Sequence, residues 1–581
     1  MAPSVSEHTP REVGTPLPVD PQVRPETYTY DYIIVGGGTA GCVVASRLSE
    51  DQKVSVLVIE QGPVDDSWLS RVPLASGNIY EGEHPMALRW WSEPLRHANN
   101  RFLEIFQGKA LGGASRVSGM LYTRGTPGDY NRWKELGNEG WGYDDLLPYF
   151  VKSEKTHSHP ASAYRGREGV WQNRNFAHSP YKVTDYADRA CQKLGFPQVP
   201  DPNAPNVPAA HIAVLDSMQD EKYRRNSTFL AFLPPHVAQE RKERLKICPN
   251  SVVCRVELAK SGGDVRATGV HFETANPRKA DAQYVAKARR EVIVCAGAMG
   301  SPQILMLSGL GPKAHLEDKG VDVVLDLPAV GSHLSDHMGV PVAVEVPIKD
   351  SLHQLEVSPL TAVKEVLKYA TTGRSVLARP FQNLSAFFPS RLVDPASHAV
   401  SPGPDGAADL DARVPANRPD IEMMLLTNNC ADVDTPKGVG VFTLAVALVR
   451  PRSEGAVRLA TANPRVRPAV DLGYLSDPAD YAPLRSGIRL ALRGGASASN
   501  DEALDAWIRA HLRTFCHFTS TCRMGAEERE SVVDAQLRVH GVKGLRIADT
   551  SVFPEIIGAH TMAPAVAVAE KCADMVKAAW A

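Results

Sequence analysis

Gly36, Gly38 and Gly41, in the run GGGTAGC, follow directly on an apolar stretch, DYIIV (31–35), and Glu60 closes the next one, VSVLVIE (54–60). The spacing suits one chemistry, holding the diphosphate of a dinucleotide. Gly36 permits a tight turn, Gly38 lets a phosphate come against the backbone, and Gly41 lets a helix pack closely on the strand. The helix opening at Thr39 and Ala40 offers amide donors and the positive end of its dipole to the phosphates. Glu60, 19 residues beyond Gly41, can accept hydrogen bonds from ribose hydroxyls. These residues alone do not choose between FAD and NAD.

The elements that must position this loop are legible nearby. Strand, glycine turn, helix and second strand make a βαβ unit, and the same order returns in REVIVCAGAMGSPQILMLSG (290–309), so the expected class is α/β with a doubly wound, discontinuous dinucleotide domain. VFTLAVALVRPRSEGAVRL (441–459) reads as two strands joined by a polar turn, suited to an antiparallel sheet roofing a substrate cavity. The first 29 residues, rich in Pro and charge, read as a flexible arm without the apolar core of a secretory signal.

Composition narrows the partners. Sixty-four Lys and Arg against 66 Asp and Glu leave no net field to draw nucleic acid. No run is apolar enough for a membrane span, and a soluble cytoplasmic protein is expected. The nine cysteines form no CxxC, and His333 and His337 lack the Glu and third ligand of a zinc site, so no catalytic metal is expected.

Five stretches resemble the glucose-methanol-choline (GMC) oxidoreductases: QGKALGGASRVSGMLYTRGTPGDYNRW (107–133), GAMGSPQILMLSGLGP (297–312), VGSHLSDHMG (330–339), CHFTSTCRMG (516–525) and GLRIADTSVFPEIIGAHTMAPAVAVAEKCAD (544–574). With the glycine loop they span essentially the whole chain in the family's order. The resemblance implies FAD and oxidation of an alcohol, primary and aromatic or otherwise apolar, with oxygen or another acceptor taking the electrons. It places FAD-binding segments at 30–156, 209–343 and 516–581, and a substrate domain with an antiparallel sheet at 157–208 and 344–515.

The resemblance also assigns residues. His517 becomes the base and His560 the group that orients the substrate hydroxyl, as in aryl-alcohol and glucose oxidases. Neutral imidazole, with an ordinary pKa of about 6.5, suits that proton transfer. Gly112, Gly113 and Ser115 would pass near the flavin, with Ser118 where the family often has Asn. Asp549 would lie near the pyrophosphate and ribityl chain, Val252 or Val253 by the adenine, and Thr561 and Met562, beside His560, would also bind the cofactor. His333 and His337 fall in a motif the family uses structurally. Phe518 and Ser520 depart from the family's HPxGT pattern. Two other activities occur on the same fold, hydroxynitrile lyase and fatty-acid photodecarboxylase, and Cys430 and Arg450 bear on the second.

Overall fold

In the computed structural model, residues 5–17, 28–76, 86–276, 282–401, 406–492 and 500–581 are described. The dinucleotide loop lies in a sheet built from β1 (Thr29–Val35), β2 (Val56–Ile59), β3 (Leu245–Cys248), β4 (Ser251–Ser261), β5 (Asp264–Thr274) and β6 (Gln283–Val294), ordered β3-β2-β1-β6-β5-β4. β3, β2, β1 and the end of β6 run parallel, and Leu545–Ile547 pairs parallel with β6, setting Leu545 against Val292. β2 is buried at every position, as a parallel strand covered on both faces requires. The first half of β6 changes partners and pairs antiparallel with β5.

Helix α1 (Thr39–Leu48) leaves the glycine loop, α2 (Gly297–Leu307) follows β6, and α3 (Met562–Ala579) packs along α1. Arg47 on α1 holds the fully buried Glu570 of α3 through two bonds of 2.8 Å. Paired this way the carboxylate is tolerated in the core; left alone it would cost several kcal/mol.

A second sheet, largely antiparallel, contains β7 (Met338–Pro347), β8 (Gln382–Phe388), β9 (Ile421–Leu426) and β10 (Val439–Leu448), in the order β7-β10-β9-β8. Arg513–Thr514 extends it beyond β7, and His211–Val214 beyond β8.

Three expectations are corrected. Part of the arm is docked: Pro10–Val13 is helical, Thr15–Pro16 pairs with β6, and Val13 is fully buried. Its apolar residues are too sparse to announce an element. The run 441–459 supplies β10 to the antiparallel sheet, but Ala456–Arg458 pairs with Ala469–Asp471 in a separate ribbon. His211–Val214, placed by sequence among the flavin-binding segments, joins the antiparallel sheet, because its partner, β8, lies far along the chain. No helix among the described residues is long and apolar enough to cross a membrane.

Candidate active site and cofactor cleft

Segments leaving the carboxyl ends of the parallel strands line one cleft of about 570 Å3. They are Gly36 and Gly38 after β1, Glu60 after β2, Val252 and Val253 after β3, Gly297 after β6, and Asp549 after Leu545–Ile547. A parallel sheet binds its ligand in this position, where loops diverge and helix N-termini converge.

The three glycines separate by what each must avoid. Gly36 has φ +97°, and a Cβ there would lie 2.6 Å from the Cys295 carbonyl oxygen; a Cβ at Gly41 would lie 1.9 Å from the Gly36 oxygen. Both are demanded by the fold. At Gly38, φ is −73° and the nearest protein atoms to a Cβ are 3.8 Å away. Nothing in the protein requires glycine at 38, so the requirement points to a ligand. Thr39 and Ala40 also face the cleft, as do Gly113, Ser118, Thr561 and Met562. Gly41, Gly112 and Ser115, expected to bind cofactor, stand one layer back. Gly112 adopts φ +98°, and the Ser115 hydroxyl donates to its carbonyl at 2.6 Å, so they shape the loop that presents Gly113.

Glu60 is almost buried, and burial raises its carboxyl to about 7 against the opposing Gly62 and Gly37 amides. Each oxygen takes one amide at 2.8 Å and keeps lone-pair capacity for a ribose hydroxyl. Asp549 accepts from Gly297 N (3.0 Å) and Ser301 Oγ (2.6 Å), tying the last parallel strand to the start of α2. Two cations missed by sequence reasoning also line the cleft. The Lys109 and Arg467 side chains make no hydrogen bond or ion pair with any described residue, and burial depresses the pKa of both. Arg467 further depresses Lys109. Glu60 lends Lys109 a longer-range counter-charge but pairs with neither cation directly. Two adjacent, half-buried cations without an ion-pair partner among the described residues suit an anionic ligand, and the donor set as a whole fits a dinucleotide diphosphate.

At the other end His517 and His560 meet. His517 Nε2 lies 3.2 Å from His560 Nδ1, with the rings nearly perpendicular at 85°. The His517 amide donates to Asp336 Oδ1 at 2.6 Å, beside the left-handed Cys516 (φ 58°), so the altered turn is anchored through its backbone. The His560 amide donates to Thr123 Oγ1 at 3.0 Å. Behind the pair stand two residues given no catalytic part by sequence. His337 Nδ1 is 2.9 Å from His517 Nδ1, and Glu422 Oε1 is 3.2 Å from His560 Nε2. Glu422 is fully buried and also accepts from Ser385 Oγ and Gln382 Nε2. Burial raises its pKa, but the His560 charge and hydrogen bonds outweigh that and hold it low. Burial, then the charges of His560 and His337, pushes His517 well below the ordinary imidazole value. Glu422 had a legible signal, an acid alone in the buried run IEMMLL.

The roof over this pair is apolar, with Phe381, Met424, Leu426, Ala445 and Phe515. Cys430 faces the cleft, whereas Arg450 does not and donates to the Arg418 carbonyl at 2.8 Å.

The GMC oxidoreductase family matches residues 30–339 and 451–569. The chain belongs to the GMC oxidoreductases. Among relatives of this GMC oxidoreductase, the oxygen-dependent choline dehydrogenase of Sinorhizobium fredii is 31% identical over 571 residues, covering 94% of this chain and 95% of that one. Dehydrogenase str4 of Strobilurus tenacellus is also 31% identical, covering 95% and 94%. A formate oxidase variant of Aspergillus oryzae studied for its FAD modification superposes with a TM-score of 0.82 at 25% identity, covering 95% of this chain and 98% of that one. A fungal aryl-alcohol oxidase gives 0.79 at 25%, covering 95% and 99%. This GMC oxidoreductase is therefore an FAD flavoprotein.

Proposed function

We propose that the chain oxidises a neutral, largely apolar primary alcohol to the aldehyde, with His517 as base and His560 holding the hydroxyl. The observation that carries this is the 3.2 Å His517 Nε2–His560 Nδ1 pair beneath an apolar roof. A hydroxyl that displaces this contact, the rings parting to admit it, can donate to one nitrogen while accepting from the other. FAD supplies the acceptor for the hydride. The O–H bond breaks toward His517 Nε2, the carbonyl forms as the C–H electron pair departs, and the nearby buried Glu422 carboxylate offsets the positive charge arriving on the histidine pair. In the proposed arrangement Gly38 and the start of α1 hold the diphosphate, with Lys109 and Arg467 as counter-charges.

The substrate class follows from the lining. Among the described residues the only carboxylates on the cleft are Glu60 and Asp549, both near the cofactor loops, so a quaternary ammonium at the roof would touch no carboxylate, Glu422 being buried behind it and engaged by His560. Arg513, the cation nearest the roof, is engaged by Asp432 at 2.7 Å, which weakens the case for a carboxylate substrate. The test is anaerobic flavin absorbance with 4-methoxybenzyl alcohol, choline and formate in parallel, followed by air to look for peroxide. Bleaching by the benzylic alcohol is expected. Faster bleaching by choline or formate overturns the neutral-substrate reading, and cyanohydrin cleavage without bleaching by any alcohol moves the assignment to a lyase.

A further inference from the structure

His337 is fully buried and its ring makes two hydrogen bonds, Nε2 to the Ile557 carbonyl at 3.0 Å and Nδ1 to His517 Nδ1 at 2.9 Å, with the Val449 carbonyl nearby as a weaker influence. A carbonyl oxygen can only accept, so His337 Nε2 carries a proton. Burial, the largest influence on this ring, pushes its pKa down to about 4 despite the Glu422 charge, which keeps the ring neutral. A neutral imidazole with one proton on Nε2 has a bare lone pair on Nδ1. Two lone pairs do not face each other at 2.9 Å, so the proton in that contact belongs to His517. Turning the His337 ring over would set carbons against both partners.

We infer that His337 is a positioning residue that fixes His517 as the Nδ1–H tautomer and so turns the lone pair of His517 Nε2 toward the substrate. The inference deepens the proposed alcohol oxidation and rests on it for its kinetic consequence, though the tautomer itself stands on geometry. It also settles the next contact. With His517 Nε2 bare, His560 Nδ1 is the donor across 3.2 Å, and a second proton lies between His560 Nε2 and Glu422 Oε1. At rest that lone pair and that N–H face each other, and a hydroxyl that parts the rings finds one acceptor and one donor. A histidine's tautomer is set in this way by what its other nitrogen contacts. In a hydrolase triad, imposing the wrong tautomer lowers turnover by about 10⁴-fold while geometry is kept.

The test compares three holoenzyme variants with one spectrum. His337→Asn keeps an acceptor near the Nδ1 position, His337→Gln keeps a donor for Ile557 and loses that acceptor, and His337→Leu loses both. Expected are FAD contents near wild type, flavin reduction at saturating 4-methoxybenzyl alcohol slowed about 10²-fold or more in Gln and Leu, and substantial recovery in Asn. Equal losses in Asn and Gln overturn the inference, because a purely structural residue would not distinguish them. Independently of any turnover, long-range 1H–15N correlation on the 15N-histidine-labelled wild-type holoenzyme, with His517 assigned through His517→Gln, reports the tautomer directly. Nδ1–H supports the inference and Nε2–H overturns it. If no alcohol reduces the flavin while the spectrum shows Nδ1–H, the substrate reading fails and the tautomer assignment stands.

Discussion

Replacing Gly38 by alanine separates what the fold needs from what the cofactor needs. The added methyl meets no protein atom closer than 3.8 Å, and φ of −73° is ordinary for alanine. Glycine to alanine at a compatible site gains about 0.4–1 kcal/mol through the unfolded chain, and alanine at an N-cap loses at most a comparable amount relative to glycine. The apoprotein should therefore melt within a few degrees of wild type. FAD should not tolerate the change, since a phosphate seated on the α1 amides comes against the Gly38 Cα. Losing one or two charge-assisted hydrogen bonds costs about 2–4 kcal/mol, which is about 30- to 1000-fold in dissociation constant. The assay is titration of deflavinated protein with FAD by calorimetry, beside a thermal melt of the same sample. Wild-type affinity in Gly38→Ala would refute the placement of the diphosphate at this helix. A collapsed apoprotein would show that the glycine serves the fold after all. Gly41→Ala, with its 1.9 Å clash, is the control that should unfold.

His517→Ala should keep its FAD and lose about 10²- to 10⁴-fold in anaerobic reduction rate, while His560→Ala weakens substrate binding as well and His560→Asn recovers part of the activity; if only His560→Ala fails, the two parts are exchanged. Because burial holds His517 below the ordinary imidazole value, the base stays unprotonated as pH falls through 6.5, so stopped-flow reduction at saturating alcohol should be flat from pH 8 to 6; a decline centred near 6.5 would refute that environment. Lys109→Met and Arg467→Met should each weaken FAD binding and flatten its dependence on salt concentration, measured by titration of the apoprotein; unchanged binding in both removes them from the diphosphate site.

Much of the cofactor end was legible because its logic is local. DYIIV, the glycines and Glu60 lie within 30 residues, and each obeys a period or a turn requirement readable without a partner. The histidine pair was legible only through the resemblance, since nothing in its 43-residue spacing makes two imidazoles face each other. The approach of His337 to His517 was hidden for the same reason: the contact joins residues 180 apart, and no helical or strand period links them. Lys109 stood in the quoted run QGKALGG without any sign that Arg467 would approach it. The docked residues near Val13 were hidden by composition, because Pro and charge around two isolated buried valines, Val5 and Val13, look like solvent-exposed chain.

The distribution of the active-site groups between the layers bears on how such enzymes can be recombined. Glu422, Gln382 and Ser385 belong to β8 and β9 of the antiparallel roof, whereas His560 is carried by the loop leading into α3, against the flavin-side sheet. The roof therefore cannot be exchanged between homologues as a passive specificity cassette: a graft without an acid at the position of Glu422 also takes away the partner of His560 Nε2. A viable chimaera has to inherit a compatible acid together with its hydrogen-bonding neighbours, and libraries meant to alter substrate range are better confined to Phe381, Met424, Leu426 and Phe515, which face the cleft without holding the histidine pair.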